Sequence, residues 1–232
     1  QARIQLKSRA TEKPLVEDLT AGEPETGLAR LPEPSPGDLF FDFEGDPFVE
    51  GGGLEYLFGW VQIGDEGTPD YQERWALTPG QEKQVFEAWI DFVRARIETF
   101  PGLHIYHFAP YEPAALKRLM GRHATREAEL DFLLRSERFV DLHQVVKESL
   151  RIGVEAYGLK QLEAVHGFER ELDLRDASSS MRAVERALEL GQGDSISEEE
   201  RARVAVYNKD DCLSTLSLRD WLEEVRSNQV AQ

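Results

Sequence analysis

The sequence predicts an α/β fold: a mixed sheet of three antiparallel strands and then a further strand, flanked by helices. Three observations point there. Between Asp38 and Leu77, apolar runs are separated by turn residues in the manner of a meander. After Pro79 the apolar period lengthens from two to nearly four and stays helical, except for a short run at Leu103–His107. The chain has 232 residues and is 41% hydrophobic, which is ample for one buried core.

Residues 1–38 read as a linker or an arm from a preceding domain. Pro14, Pro24, Pro32, Pro34 and Pro36 interrupt any period, and Pro32–Pro36 favours extended geometry. Little core contribution is expected there beyond a helix or strand within Ile4–Val16. Residues 39–226 read as the domain and 227–232 as a tail. Leu39–Glu44, Leu54–Ile63 and Tyr71–Leu77 are the three meander strands, with Gly51–Gly53 as the first turn. Pro79-Gly80 opens a helix over Gln81–Glu98, where Val85, Phe86, Trp89, Ile90, Val93 and Ile97 recur at helical spacing. Leu103–His107 is the fourth strand, and Pro110 opens a helix to Arg122. Helices are then expected over Arg126–Arg135, Leu142–Leu150, Leu159–Val165 and Met181–Leu190. A last long helix runs from Ser197 to Val225, started by the capping box Ser197-Glu-Glu-Glu200. This element order is similar to that of a ribonuclease-H-like fold.

Composition limits the functional classes. There are 27 Lys+Arg against 44 Asp+Glu, a net charge of −17, which argues against a surface-wide nucleic-acid binder but not against acids gathered at a metal site. No apolar run approaches the roughly 20 residues that span a bilayer, so no membrane span is expected. The one cysteine, Cys212, excludes an internal disulfide and a Cys-rich zinc module. With no signal peptide, a cytoplasmic location is expected. The first residue, Gln1, suggests a piece of something larger.

Four segments carry candidate chemistry. Asp42 and Glu44 alternate with Phe41 and Phe43 on the first strand, so both acids share one face and both rings the other. Such an acidic pair suits a hard divalent cation such as Mg²⁺, although plain alternation would equally give a solvated acidic face. Tyr207 and Asp211 stand at i and i+4 on the last helix and share a face, with Asp210 about 100° round. Glu112, in His107-Phe-Ala-Pro-Tyr111-Glu112, sits near a helix N-terminus, where a capping role is also open. Asp141 precedes a helix and reads equally as an N-cap.

Together these segments resemble the DEDD superfamily of 3′–5′ exonucleases, in the subclass with a catalytic tyrosine. Asp42-Phe-Glu44 matches the first motif and Tyr207 to Asp211 the third. The second motif departs from the pattern: Glu112 replaces an Asp and His107 an Asn, with Asp141 in reserve as a ligand. Tyr157-Gly-Leu159-Lys-Gln-Leu162 is similar to a short segment ahead of the last motif. More narrowly, Phe40–Pro47, Tyr106–Leu119 and Tyr207–Thr215 look like the exonuclease domain of large bacterial RecB-like nucleases, which accompanies a second nuclease domain and sometimes a helicase. The resemblance implies two-metal phosphodiester hydrolysis of single-stranded DNA or RNA, with two Mg²⁺ or Mn²⁺ ions about 4 Å apart. It implies Asp42, Glu44, Glu112 and Asp211 as ligands and Tyr207 as the group that orients water. His107, Tyr111, Lys117 and Lys160 are the candidate substrate contacts. The departures leave open a catalytically degenerate module that binds nucleic acid or neighbouring domains.

Charge is unevenly spread. Residues 114–160 hold nine basic against seven acidic side chains. That stretch, with Lys117, Arg118, Arg122, Arg126, Arg135, Arg138, Arg151 and Lys160, could contact phosphates flanking the cut or could form balanced helix surfaces. Cys212 is expected to be packed rather than reactive.

Overall fold

Strand β2 (Leu39–Asp46) runs through the middle of the protein and decides what lies on each side of it. In a computed structural model, which describes residues 1–11, 14–19, 26–64 and 66–230, it is joined by β3 (Leu54–Ile63) and β4 (Pro69–Trp75) in an antiparallel meander. On its other edge β5 (Ile105–His107) and then β6 (Phe139–Asp141) add in parallel, giving the order β4-β3-β2-β5-β6. Helices α2 (Pro79–Thr99), α3 (Tyr111–His123) and α4 (Glu127–Arg135) precede β6, and α5 (Leu142–Ser149), α6 (Leu159–His166), α7 (Leu174–Glu189) and α8 (Glu198–Val230) follow it. Helix α1 (Ala2–Ser8), strands β1 (Val16–Asp18) and β7 (Leu150–Ile152), and two 3₁₀ turns at Gly27–Arg30 and Gly193–Ser195 complete the regular structure among the described residues.

Alternation along β2 divides the core. Leu39, Phe41 and Phe43 pack with Phe58, Trp60 and the apolar faces of α2, α3 and α4; Phe41 stacks on Trp89 at 4.1 Å. Phe40 turns the other way and packs with Tyr106, Val145, Leu162, Cys212 and Leu216 under α5, α6 and α8. Asp42 and Glu44 share that second face, so the pattern that buries aromatics beneath the sheet delivers two carboxylates to α8.

Three expectations need correction. The sheet has five strands, because Phe139–Asp141 pairs with β5; three residues are too short for a period to register. The stretch through Leu150 is not all helix: Leu150–Ile152 pairs antiparallel with Val16–Asp18. The segment before Leu39 contributes to the core after all. Ile4, Leu28 and Leu31 are buried, and Leu28 and Leu31 join the cluster beneath α5. Ile4 lies in the helix Ala2–Ser8 and Leu28 in a 3₁₀ turn at Gly27–Arg30, so short regular elements carry this burial.

Candidate metal centre

Two acids from β2 meet one from α8. Asp42, Glu44 and Asp211 each bring a carboxylate oxygen to within 4.8 Å of the others. Helix α8 presents Val204, Asn208, Cys212 and Leu216 at four-residue intervals as its buried stripe, which seats Tyr207 and Asp211 beside that stripe. Asp210, one residue back, is turned away and accepts from the backbone N–H groups of Glu171 and Leu172 at 3.1 and 3.3 Å.

Asn208 ties helix and strand together. Its amide nitrogen donates to Asp42 Oδ2 at 2.9 Å and to Glu44 Oε1 at 3.3 Å, while its carbonyl accepts from the Tyr71 hydroxyl at 2.9 Å. Room for it comes from Gly59, which is paired with Asp42 across the sheet; a Cβ there would stand 1.6 Å from Asn208 Oδ1. A register shift between Glu44 and Gly45 then ends the regular ladder.

Burial, and next the charges of Glu44, Asp211 and Glu112, push the Asp42 carboxyl well above its ordinary range. Burial and then Asp211 do the same to Glu44, while the Asn208 amide and the Lys160 charge oppose them. Burial followed by the charges of Asp211 and Glu44 raises the Tyr207 hydroxyl, so it remains a neutral phenol. Clustered oxygen donors that repel one another and are only partly neutralised by the protein fit a hard divalent cation.

Glu112 comes from the start of α3, and its charge helps to raise the Asp42 carboxyl, but it is not one of the three acids whose oxygens meet. It is 3% exposed, and its Oε2 has no hydrogen-bond partner. His107 Nδ1 is 3.2 Å from that oxygen but donates to the Ala109 carbonyl at 2.7 Å. Ala109 itself has φ 70°, a strained conformation for a residue with a Cβ, in the loop that delivers Glu112. Asp141 stabilises this loop: its Oδ1 accepts from Ala109 N at 2.9 Å and caps α5 through His143 N and Gln144 N. The reserve ligand is thereby occupied as an N-cap and stands outside the trio.

The candidate substrate contacts scatter. Lys160 bonds the Tyr207 hydroxyl and sits 4.5 Å over its ring. Tyr111 turns toward Glu55, which also pairs with Arg118, in a pocket bordered by Glu44 and Gly45. Lys117 is exposed on α3, and His107 is buried behind Glu112. Arg170, Asn208 and Glu163 were not among the predicted residues. Arg170 pairs with both Asp211 and Glu163, and its guanidinium lies 5.6 Å from the Tyr207 ring centre. Asn208 had a readable signal, as the one polar member of a four-residue apolar stripe. Arg170 had none, since a loop position 41 residues from Asp211 carries no period.

A family model described as RNase_H superfamily matches residues 39–223. No curated protein and no solved structure matches the chain.

Proposed function

From the premise that the chain belongs to the RNase H superfamily, we propose that it is a metal-dependent nuclease cutting single-stranded DNA or RNA from the 3′ end. The observation that carries this reading is the convergence of Asp42, Glu44 and Asp211 from two distant stretches of sequence. Bound divalent ions supply Lewis acidity, polarising the phosphodiester and making the attacking water acidic.

The protein's own residues divide the remaining work. Asp42, Glu44 and Asp211 would hold the metal, with Asp42 as the ligand common to both ions. Glu112, whose buried Oε2 has no hydrogen-bond partner, would hold the second ion. Tyr207 keeps its proton under burial and positions water through its hydroxyl, which Lys160 holds in place. Asn208 prevents the two strand carboxylates from swinging apart. Hydrolysis then adds water across the P–O3′ bond, leaving a phosphomonoester and a free hydroxyl.

Mg²⁺ or Mn²⁺ with single strands labelled at the 3′ or the 5′ end tests the reading. Stepwise loss from the 3′ end that needs metal and disappears in Asp42→Ala is the expected result. Full cleavage by Asp42→Ala would sink the proposal. One observation favours a second reading, a module that binds without cutting: Arg170 already neutralises Asp211. That reading requires a wild-type protein without cleavage at any Mn²⁺ concentration.

A further inference from the structure

The basic side chains between residues 114 and 160 sort by partner. Arg118, Arg122, Arg126 and Arg135 are paired with Glu55, Glu82, Asp91 and Asp131. Arg138 donates to the carbonyls of Pro101 and Leu103, and Lys160 is engaged by Tyr207. Lys117, Lys147 and Arg151 are exposed and have no carboxylate within ion-pair distance among the described residues. In a chain of net charge −17, such free cations are the places where a polyanion can bind without first displacing an acid.

Two of the three line one pocket. Lys147 and Arg151, with His143 and Tyr157, border a cavity of about 430 Å³ at the end of α5. The carboxylate on its wall, Glu155, is paired with Arg9 at 3.0 Å. Two of the lining residues lie close in sequence to residues around the metal centre. His143 lies two residues past the end of β6, and its ring is 5.2 Å from Phe108, the neighbour of His107. Tyr157 precedes Lys160 by three residues, and Lys160 touches Tyr207.

We propose that this pocket binds phosphates of the single nucleic-acid strand that the protein cuts. Lys147 and Arg151 take two phosphates, and the rings of His143 and Tyr157 offer faces to the bases, the usual pairing of positive groove and aromatic platform for single strands. The proposal rests on the nuclease reading for its orientation, and it names the residues that give a predominantly acidic protein its hold on substrate.

The experiment measures binding by fluorescence anisotropy, with Ca²⁺ replacing the catalytic ion. Probes are twelve-nucleotide oligothymidylate and oligouridylate and a three-nucleotide oligothymidylate, each across a salt series. The full chain is compared with Lys147→Gln/Arg151→Gln and with the control Lys83→Gln/Arg94→Gln on α2, across the sheet. Both twelve-nucleotide probes share the phosphate chemistry, and the tighter one identifies the preferred sugar. Expected for the pocket variant is an affinity for the twelve-nucleotide probe lower by ~10-fold and a salt slope shallower by ~1.4, two lost phosphate contacts at ~0.7 each. The three-nucleotide probe and the control variant should show no such change. An unchanged slope and affinity in a pocket variant with wild-type circular dichroism overturns the proposal. Wild-type protein that binds through these side chains yet cleaves nothing overturns the nuclease reading alone.

Discussion

Asn208 donates its side-chain amide to Asp42 at 2.9 Å, and the same nitrogen reaches Glu44 at 3.3 Å. The Tyr71 hydroxyl on its carbonyl fixes which end of the amide faces the acids. One buried amide therefore compensates a half-buried and a buried carboxylate that repel each other. Asn208→Leu removes both donors and should lower metal-free stability by ~1–3 kcal/mol, the usual cost of leaving buried acceptors unsatisfied. Thermal unfolding should show a smaller deficit with Mn²⁺ present, because the ion takes over the compensation. An identical deficit with and without Mn²⁺ would mean that Asn208 acts by packing alone.

The raised carboxyls of Asp42 and Glu44 set the direction of pH dependence. An acid whose folded pKa exceeds its unfolded value binds more protons when folded, so stability falls as pH rises. The contribution is complete below the ordinary carboxylate range and is lost as pH climbs through the raised values. Metal-free protein should therefore lose melting temperature on going from pH 5 toward neutrality, and Asp42→Asn should recover part of that loss. Mn²⁺ competes with the same protons, so its affinity should rise over the same interval. At one hundred times its dissociation constant, the ion should add ~2.7 kcal/mol. Melting curves at several pH values, with and without Mn²⁺, check both slopes; a melting temperature of Asp42→Asn that equals wild type at every pH contradicts the assignment.

The face carrying Asp42 and Glu44 was legible in the sequence because strand alternation is local: Phe41 and Phe43 had to face a core, so the acids had to face away from it. Tyr207 and Asp211 were legible for the same reason on a helix. The partners that hold these residues were less so. Arg170 reaches Asp211 from a loop, and its position follows from tertiary packing alone. Phe139–Asp141 forms a strand because β5 offers an open edge, not because three residues announce one. Lys160 and Tyr111 were read as substrate contacts on their charge and ring, but the fold directs them to Tyr207 and Glu55.

Gly59 carries no ligand, yet it should be as sensitive as one. It opposes Asp42 on β3, and the space where its side chain would be is filled by Asn208 Oδ1, 1.6 Å from an ideal Cβ. Gly59→Ala must push the amide or α8 outward, an overpacking that typically costs ~1–3 kcal/mol. The more specific effect is on the trio: with the amide displaced, Asp42 and Asp211 no longer meet at one point. Isothermal titration with Mn²⁺ should show weakened binding in Gly59→Ala, whereas Gly121→Ala, whose added Cβ meets no atom within 4 Å, should bind normally. Equal Mn²⁺ affinity in both variants contradicts this role.

Glu112 and Asp141 both lie near the strand ends, and their carboxylates are engaged differently. Asp141 accepts from three backbone N–H groups, including that of the strained Ala109, so its carboxylate is a structural acceptor for the loop and for α5. Glu112 has a buried oxygen without a partner, beside Asp42. Asp141→Asn keeps an acceptor oxygen and should leave stability and Mn²⁺ affinity close to wild type. Asp141→Ala removes the cap and should cost ~1–2 kcal/mol with or without metal. Glu112→Gln should behave in the opposite way: it removes a charge that repels Asp42, so metal-free stability should hold or rise while Mn²⁺-dependent stabilisation falls. Paired melting curves for the three variants separate the two tasks. Loss of the Mn²⁺ effect in Asp141→Asn, with Glu112→Gln unaffected, would reverse the assignment and make Asp141 the ligand.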